Sequence, residues 1–205
     1  KRVLIDESTQ STELTSLVPL TKFAEQLVLI GDHKQLPPTV LSMKAMYEGY
    51  DLSLFERLIN QGVKPVLLNV QYRMHPVIAN FPSRTFYDSR VINGITEVDR
   101  PMINGFNWPS SLACIAFIDV DGVELSESNS YYNLKEVSII SEIYHNMILQ
   151  NLDKEDIGII TPYDAQRKKI KQSILDNLKI TPNVDTVDGF QGMEKELIIF
   201  SAVRS

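Results

Sequence analysis

This sequence has little of what marks an extracellular or membrane protein. It contains a single cysteine, Cys114, so no internal disulfide framework can form and a reducing compartment is favoured. Its apolar runs are far too short to cross a bilayer, and its N-terminus has no signal-peptide pattern. We therefore expect a soluble protein without membrane contact, in the cytoplasm or alternatively the nucleus, with the Cys114 thiol buried in its core.

Positive charge is also scarce. The 20 Lys and Arg residues are outnumbered by 26 Asp and Glu residues, and the formal net charge is −6. Bulk electrostatics therefore do not indicate a nucleic-acid-binding protein, and any such binding would need a local groove. The apolar fraction of 43% in a chain of 205 residues is enough for one or two hydrophobic cores.

Short apolar segments and amphipathic segments alternate along the chain. Asn133 and Glu136 resemble a capping box at the start of one amphipathic segment. The alternation predicts an α/β fold with parallel sheets flanked by helices, and a domain boundary near residue 70. Strands are predicted at residues 3–5, 27–30, 66–68, 114–120, 157–160 and 197–200, and helices at residues 52–61, 134–148 and 162–178.

Two carboxylates, Asp6 and Glu7, follow directly after the first predicted strand. Open α/β sheets bind ligands at the carboxyl ends of their strands, which is where these side chains are expected to lie. In phosphoryl transfer one such carboxylate helps to hold Mg²⁺, and a second orients the attacking water. Taken alone, an acidic pair after an apolar run is more often part of a solvated loop.

Five segments, in order, resemble motifs of the superfamily 1B RNA and DNA helicases, in the subgroup of the nonsense-mediated-decay (up-frameshift) helicase. They are residues 6–10 (DESTQ), 27–38 (LVLIGDHKQLPP), 69–76 (NVQYRMHP), 158–166 (GIITPYDAQ) and 184–196 (VDTVDGFQGMEKE). The resemblance covers essentially the whole chain. It implies tandem RecA-like domains, with the C-terminal part of the first at residues 1–69 and most of the second at residues 70–205.

The resemblance also implies roles for single residues. From their residue types alone, Gln35 could instead cap a turn and Tyr72 could belong to the core. Because ATP must be touched by both domains if hydrolysis is to move them, we expect the six residues named in the next sentence to face one cleft between the domains. The resemblance implies that Asp6 coordinates Mg²⁺ through water, Glu7 orients the hydrolytic water, Gln35 senses the γ-phosphate, Arg73 reaches it as an arginine finger, Tyr72 stacks on adenine and Glu194 binds the ribose.

Two further segments are candidates for nucleic-acid contact. Small hydroxyl side chains, backbone amides and a glycine let a loop approach phosphates closely, and such contacts read the backbone and not the base sequence. The candidate residues are Thr161, Pro162, Tyr163, Thr186, Val187 and Gly189. A basic cluster, Arg167, Lys168, Lys169 and Lys171, could add positive charge, although a solvated helix face explains it equally well.

The resemblance implies an ATP-dependent helicase that translocates 5′-to-3′ on single-stranded nucleic acid, with RNA favoured by residues 6–10 and 54–58. The expected cofactors are ATP and Mg²⁺, and the expected partners are single-stranded RNA or DNA and further proteins, with the helicase itself a monomer. Two alternatives stay open: a helicase-like module that binds RNA or protein without turnover, and a DNA-acting nuclear helicase. Asp6, Glu7, Gln35 and Arg73 argue against the first, because a scaffold has no need for all four.

Two motifs of this family are absent from the sequence. There is no Gly-x-x-x-x-Gly-Lys-Ser/Thr phosphate-binding loop, and there is no Arg-rich final motif. We therefore expect a piece of a longer helicase that does not hydrolyse ATP by itself. Lys34, Pro37 and Gly189 stand where the up-frameshift helicase tends to have Cys, Gly and Ala, so a paralogue fits as well as that helicase.

Overall fold

The computed structural model describes residues 1–110 and 114–204, which fall into two compact units. The first unit comprises residues 1–69 and 86–91, and the second comprises the remaining described residues. Both combine helices with parallel strands, as RecA-like domains do, so the predicted α/β fold class is confirmed. Among the described residues, no helix has the length and apolar content needed to cross a membrane.

The first unit is built on two parallel strands. Val3 is paired with Leu27, so both strands end at the same edge of the sheet and their following loops are brought together. Each helix begins after a hydroxyl side chain that accepts a backbone N–H, at Thr12, Ser42 and Ser53. The elements are β1 (Arg2–Ile5), α1 (Glu13–Leu20), β2 (Gln26–Leu29), α2 (Met43–Tyr47) and α3 (Leu54–Asn60).

The strand predicted at residues 66–68 is wrong. Val66 is 89% exposed and Leu68 is 86% exposed, and within the described residues this segment joins no sheet. An apolar run becomes a strand only where a neighbouring strand pairs with its backbone, and the only strands that pair in this unit are β1 and β2.

The second unit contains more elements. They are β3 (Val70–Gln71), α4 (Pro76–Phe86, its last residue in the first unit), β4 (Ile92–Asn93), β5 (Leu125–Glu127), β6 (Ser130–Tyr132), α5 (Leu134–Leu149), a 3₁₀ turn (Lys154–Asp156), β7 (Ile157–Ile160), α6 (Asp164–Leu178), β8 (Asn183–Asp185) and β9 (Leu197–Phe200). Strands β8, β7 and β9 form a parallel sheet in that order, β3 pairs with β4 in parallel, and β5 and β6 form an antiparallel hairpin.

The core of the second unit lies between α5, α6 and the strands β7 and β8. Val137, Ile140, Tyr144 and Met147 are all buried, at the spacing of one helix face, as the sequence periodicity predicted. Ile157 and Ile159 of β7, together with further residues of α6, β8 and β9, complete this cluster. A well-packed sheet therefore supports the loops that follow β7 and β8.

The strand predicted at residues 114–120 is also wrong, because this segment is not assigned to a sheet. Cys114 is half-buried and not a core residue, and Phe117 is 91% exposed. Partial burial still raises the pKa of the Cys114 thiol. Ala113, which belongs to the same apolar run, lies outside the described residues.

Candidate functional site

Two buried hydroxyl side chains fix the loop after β1. Ser8 donates both its backbone N–H and its hydroxyl to the Ile30 carbonyl oxygen, at 2.8 Å in each case. The Thr9 hydroxyl accepts the backbone N–H of Asp32 at 3.3 Å. Ser8 is 0% exposed and Thr9 is 3% exposed, so these bonds are shielded from water and join the loop after β1 to the loop after β2.

Asp6 and Glu7 lie exposed at the start of this loop. Asp6 Oδ1 accepts the Glu7 N–H at 3.0 Å, and Glu7 Oε2 accepts the Gln10 side-chain amide at 2.8 Å. Glu7 has a φ of 48°, in the left-handed region, which costs a non-glycine residue about 1–2 kcal/mol. Such local strain clusters at functional sites, but turns share it, as at Asn129 and Lys179.

The carboxylate pair suits a Mg²⁺ ion that arrives with a phosphate ligand. Mg²⁺ keeps several waters and is held by one or two carboxylates together with substrate phosphates. Within the described residues, no group of three or more His, Cys, Asp and Glu side chains could hold a metal. The exposed Asp6 and Glu7 therefore fit one side of a magnesium–phosphate complex but do not form a metal site by themselves.

The Asp32 carboxylate is the centre of a network that holds Gln35. Its Oδ2 accepts the Gln35 side-chain amide at 2.8 Å and the Tyr87 hydroxyl at 2.5 Å, and its Oδ1 accepts the Lys34 N–H at 3.0 Å. Burial opposes ionisation of Asp32, but these hydrogen bonds outweigh it and lower the pKa of the carboxyl. The Gln35 amide thus caps its own turn, and its contact with a γ-phosphate stays a prediction.

The Gln71 side chain fixes the segment that carries Arg73. Gln71 Oε1 accepts the backbone N–H groups of Arg73 at 3.0 Å and of Met74 at 2.8 Å. Its Nε2 donates to the Met74 carbonyl oxygen at 2.8 Å and to Asn93 Oδ1, across the β3–β4 pair, at 2.7 Å. The last residue of β3 therefore closes the turn in which Arg73 lies.

The Arg73 side chain forms an ion pair with Glu194, with 2.6 Å between Nε and Oε2. The two side chains are 61% and 67% exposed, so the pair contributes only about 0–1 kcal/mol and is readily exchanged. Arg100 Nε donates to the Arg73 carbonyl oxygen at 2.9 Å, and Arg100 Nη1 lies 3.7 Å from Glu196 Oε1. Two of the predicted ATP-binding side chains, Arg73 and Glu194, are thus in contact within the second unit.

Tyr72 has an exposed ring that lies against Gly94. A Cβ atom at position 94 would be 2.2 Å from Tyr72 Cε1, so only glycine leaves room for the ring there. Tyr72 is 63% exposed, which excludes the alternative that it is a core residue. An aromatic ring supported in this way suits the stacking of a planar base.

The candidate nucleic-acid segments follow the neighbouring strands β7 and β8. Thr161 is 0% exposed; its N–H donates to the Asp185 carbonyl oxygen at 3.2 Å, and its hydroxyl accepts the Tyr163 N–H at 3.4 Å. Thr161 therefore joins the two loops and does not present its hydroxyl to solvent. The other candidates are exposed or half-buried: Pro162, Tyr163, Thr186, Val187 and Gly189.

Gly189 lies against the Asp185 carboxylate. A Cβ atom at position 189 would be 2.5 Å from Asp185 Cγ. Asp185 Oδ1 accepts the Thr186 N–H at 2.8 Å, and the Thr186 hydroxyl accepts the Gly189 N–H at 3.3 Å. Glycine at this position therefore lets the Asp185 side chain fold over the loop, where an alanine would displace it.

The predicted basic cluster on α6 is partly neutralised by two acidic neighbours. Arg167 and Lys168 both pair with Asp164, at 2.6 Å and 2.7 Å, and Lys169 pairs with Glu127 at 2.7 Å. These contacts favour the solvated-helix interpretation over a dedicated phosphate track.

Sequence reasoning missed Tyr87 and Arg100, which act on the segments of Gln35 and Arg73. Tyr87 lies 55 positions from Asp32, and Arg100 lies 27 positions from Arg73. Neither belongs to any of the five motif segments, so no local pattern could have indicated them. Asp32 and Gln71 do lie within those segments, and each follows or ends an apolar strand, as the other site residues do.

Comparison with known proteins supports the resemblance found in the motifs. Residues 50–205 match a family model described as an AAA domain, and residues 1–43 match a second model with the same description. Regulator of nonsense transcripts 1 from Caenorhabditis elegans is 44% identical over 215 residues, which cover 100% of this chain and 20% of that protein. The ATP-dependent helicase NAM7 from Saccharomyces cerevisiae is 42% identical over 214 residues, covering 100% of this chain and 22% of its own length.

A third relative is the regulator of nonsense transcripts 1 homolog of Drosophila melanogaster, 41% identical over 99% of this chain and 18% of that protein. The chain thus spans about a fifth of the length of these relatives. One family model covers well over half of the chain, and the relatives of the chain named above include regulators of nonsense transcripts and an ATP-dependent helicase. This chain therefore belongs to the AAA domain family, in the helicase branch that its motifs predicted.

Proposed function

We propose that this chain carries the nucleotide-hydrolysis and nucleic-acid motifs of an ATP-dependent helicase. The observation that carries the proposal is the exposed Asp6–Glu7 pair at the carboxyl end of β1, held there by the buried side chains of Ser8 and Thr9. The Asp32 network that holds Gln35 lies on the loop after β2, which the Thr9–Asp32 hydrogen bond joins to the loop that carries this pair. The S. cerevisiae relative is named an ATP-dependent helicase, which supports the same activity.

In the proposed reaction Asp6 would hold Mg²⁺ through water, and the bound ion would supply positive charge to the ATP phosphates. Glu7 orients the water that attacks the γ-phosphorus, and Gln35 contacts the γ-phosphate. Arg73 supplies a planar guanidinium with permanent charge to the same phosphate. For this the weak Arg73–Glu194 pair must open, which releases Glu194 to bind the ribose while Tyr72 stacks on adenine.

The loops after β7 and β8 are the proposed nucleic-acid contact. Pro162, Tyr163, Thr186, Val187 and Gly189 offer backbone amides, a hydroxyl and small surfaces to a phosphate backbone, and Thr161 keeps the two loops together. Contacts of this kind do not depend on base sequence, as a translocating enzyme requires. We propose single-stranded RNA as the substrate and 5′-to-3′ as the direction of movement.

The test measures ATP hydrolysis and unwinding by the full-length protein. We expect single-stranded RNA to stimulate hydrolysis, and we expect duplexes with a 5′ single-stranded tail to be unwound while those with a 3′ tail are not. RNA binding without any hydrolysis would replace the proposal with a binding module. Hydrolysis that single-stranded DNA stimulates and RNA does not would make it a DNA helicase.

We further propose that the helicase is a cytoplasmic monomer that recruits protein partners. Light scattering of the purified protein should give the mass of one chain, and cell fractionation should recover the protein outside the nucleus. A stable dimer would overturn the proposal of a monomer, and recovery of the protein from the nucleus alone would overturn the proposal of a cytoplasmic location.

A further inference from the structure

The Tyr87 hydroxyl contacts the network that holds Gln35, although Tyr87 belongs to none of the motifs. Its oxygen lies 2.5 Å from Asp32 Oδ2, the same atom that accepts the Gln35 amide at 2.8 Å. Tyr87 lies in residues 86–91, which belong to the first unit although the residues on either side belong to the second. A distant part of the sequence therefore reaches the loop after β2.

The chemistry of the contact sets the direction of the hydrogen bonds. An ionised carboxylate can only accept, so the Tyr87 hydroxyl and the Gln35 amide must both donate to it. The lowered pKa of Asp32 keeps the carboxylate ionised, and burial together with the bond to Asp32 raises the pKa of Tyr87 to about 12. With its Nε2 held by Asp32, the Gln35 amide is orientated, and the Lys34 N–H on Oδ1 prevents the carboxylate from rotating freely.

We infer that Tyr87 is a positioning residue for Gln35, which acts by orienting the Asp32 carboxylate on which the Gln35 amide is held. The inference rests on the proposed function, because it assigns Gln35 to the γ-phosphate of ATP. Tyr87 does not itself touch the nucleotide in this scheme. The Tyr87 hydroxyl instead determines how well Gln35, which is proposed to contact the nucleotide, is placed.

The first experiment is Tyr87→Phe in the full-length protein, which removes the hydroxyl and keeps the ring. We expect kcat for RNA-stimulated ATP hydrolysis to fall about tenfold, the effect of losing one hydrogen bond to a charged group. KM for ATP should change by less than about twofold, because the lost placement matters mainly in the transition state. Tyr47→Phe is the matched control, since Tyr47 belongs to the same unit and is 85% exposed, and it should leave both constants unchanged.

A double-mutant cycle separates positioning from a general structural effect. If Tyr87 acts through Gln35, adding Tyr87→Phe to a Gln35→Ala protein should cause no further loss of kcat. An equal fold-loss in both backgrounds would overturn the inference. So would a lower melting temperature of Tyr87→Phe with an unchanged kcat, because that result would show a structural role alone.

Asp32→Asn is the second variant, and it tests the link between the two side chains. The asparagine amide keeps the shape of the carboxylate but cannot accept hydrogen bonds at both Oδ1 and Oδ2, so Asp32→Asn should lower kcat. Adding Tyr87→Phe to Asp32→Asn should then cause no further change in kcat. If the unmodified full-length protein does not hydrolyse ATP, the proposed function itself fails. If it does, and Gln35→Ala is impaired while Tyr87→Phe is not, the inference on Tyr87 alone is wrong.

Discussion

Glu7 is the side chain on which hydrolysis is predicted to depend most directly. Glu7→Gln in the full-length protein keeps the shape and the bond from Gln10 but loses the charge that orients the water. Loss of one preorganised electrostatic contact costs about 10²–10³ in rate, or roughly 2.7–4 kcal/mol. We expect kcat to fall by this factor with ATP binding retained, as measured by steady-state hydrolysis and by titration with a fluorescent ATP analogue. A kcat within a few-fold of the wild-type value would remove Glu7 from the role.

Arg73 is predicted to need its guanidinium and not only its charge. Arg73→Lys keeps a cation opposite Glu194 but loses the planar fork that binds a phosphate through two donors. An arginine finger is worth about 10³–10⁵ in kcat, so stimulated hydrolysis should nearly vanish, while RNA binding measured without nucleotide should persist. Arg84→Lys is the control, because Arg84 is an exposed arginine on α4 of the same unit. Equal losses in both variants would contradict the assignment.

At the scale of elements, Gln166 ties together α5, α6 and β9. It is 0% exposed; its Oε1 accepts the Asn133 N–H at 2.9 Å, and its Nε2 donates to Ser201 Oγ at 2.9 Å. Gln166→Leu would leave buried polar groups without these partners, so we expect the free energy of unfolding to fall by about 1–3 kcal/mol. Chemical denaturation should show this loss, and Gln172→Leu, exposed on the same helix, should be nearly neutral. Equal stability of the two variants would contradict the network.

The elements also show what could be predicted from the sequence and why. Helix α5 follows from local information, because its apolar period and its cap both lie within the segment, and Asn133 Oδ1 does accept the N–H groups of Lys135 and Glu136. The Glu136 carboxylate departs from the predicted capping box, since it accepts the Ser201 hydroxyl and the Val203 N–H instead. Residues 66–68 and 114–120 have strand-like composition, yet a strand depends on a partner that no local pattern specifies.

The residues of the candidate site also differ in whether the sequence alone could indicate them. Asp6, Glu7, Gln35 and Arg73 could be predicted because each lies at the end of an apolar strand or in the motif that follows. Tyr87 could not, because its contact with Asp32 exists only once residues 86–91 have joined the first unit. Motifs therefore indicate the groups that are proposed to contact a ligand, whereas the groups that hold them depend on the tertiary fold.

For the whole molecule, the two units differ in how much apolar surface they bury. Leu54 and Pro38 are the buried apolar side chains among the described residues of the first unit, whereas Leu4 is 63% and Val28 is 52% exposed. In the second unit, Ile157 and Ile159 are both 0% exposed. We expect the backbone amides of β1 and β2 to exchange with solvent at least about tenfold faster than those of β7, which corresponds to about 1.4 kcal/mol in opening free energy.

Hydrogen exchange of the 205-residue chain, followed by mass spectrometry, measures this difference. Equal protection of β1 and β7 would mean that the two units open together as one cooperative structure. A helicase moves one part against another, so unequal local stability within one chain is compatible with such motion.

The left-handed backbone of Glu7 has a practical consequence for protein engineering. A designer who ranks substitutions by folding stability alone would favour Glu7→Gly, because glycine adopts a φ of 48° without strain and relieves about 1–2 kcal/mol, which exceeds the roughly 0.5–1 kcal/mol that glycine costs in chain entropy. The resulting protein would be harder to unfold and, on the proposed chemistry, unable to orient water. Stabilised variants of this chain should therefore be selected with position 7 held fixed, since at that position resistance to heat and catalytic competence favour different residues.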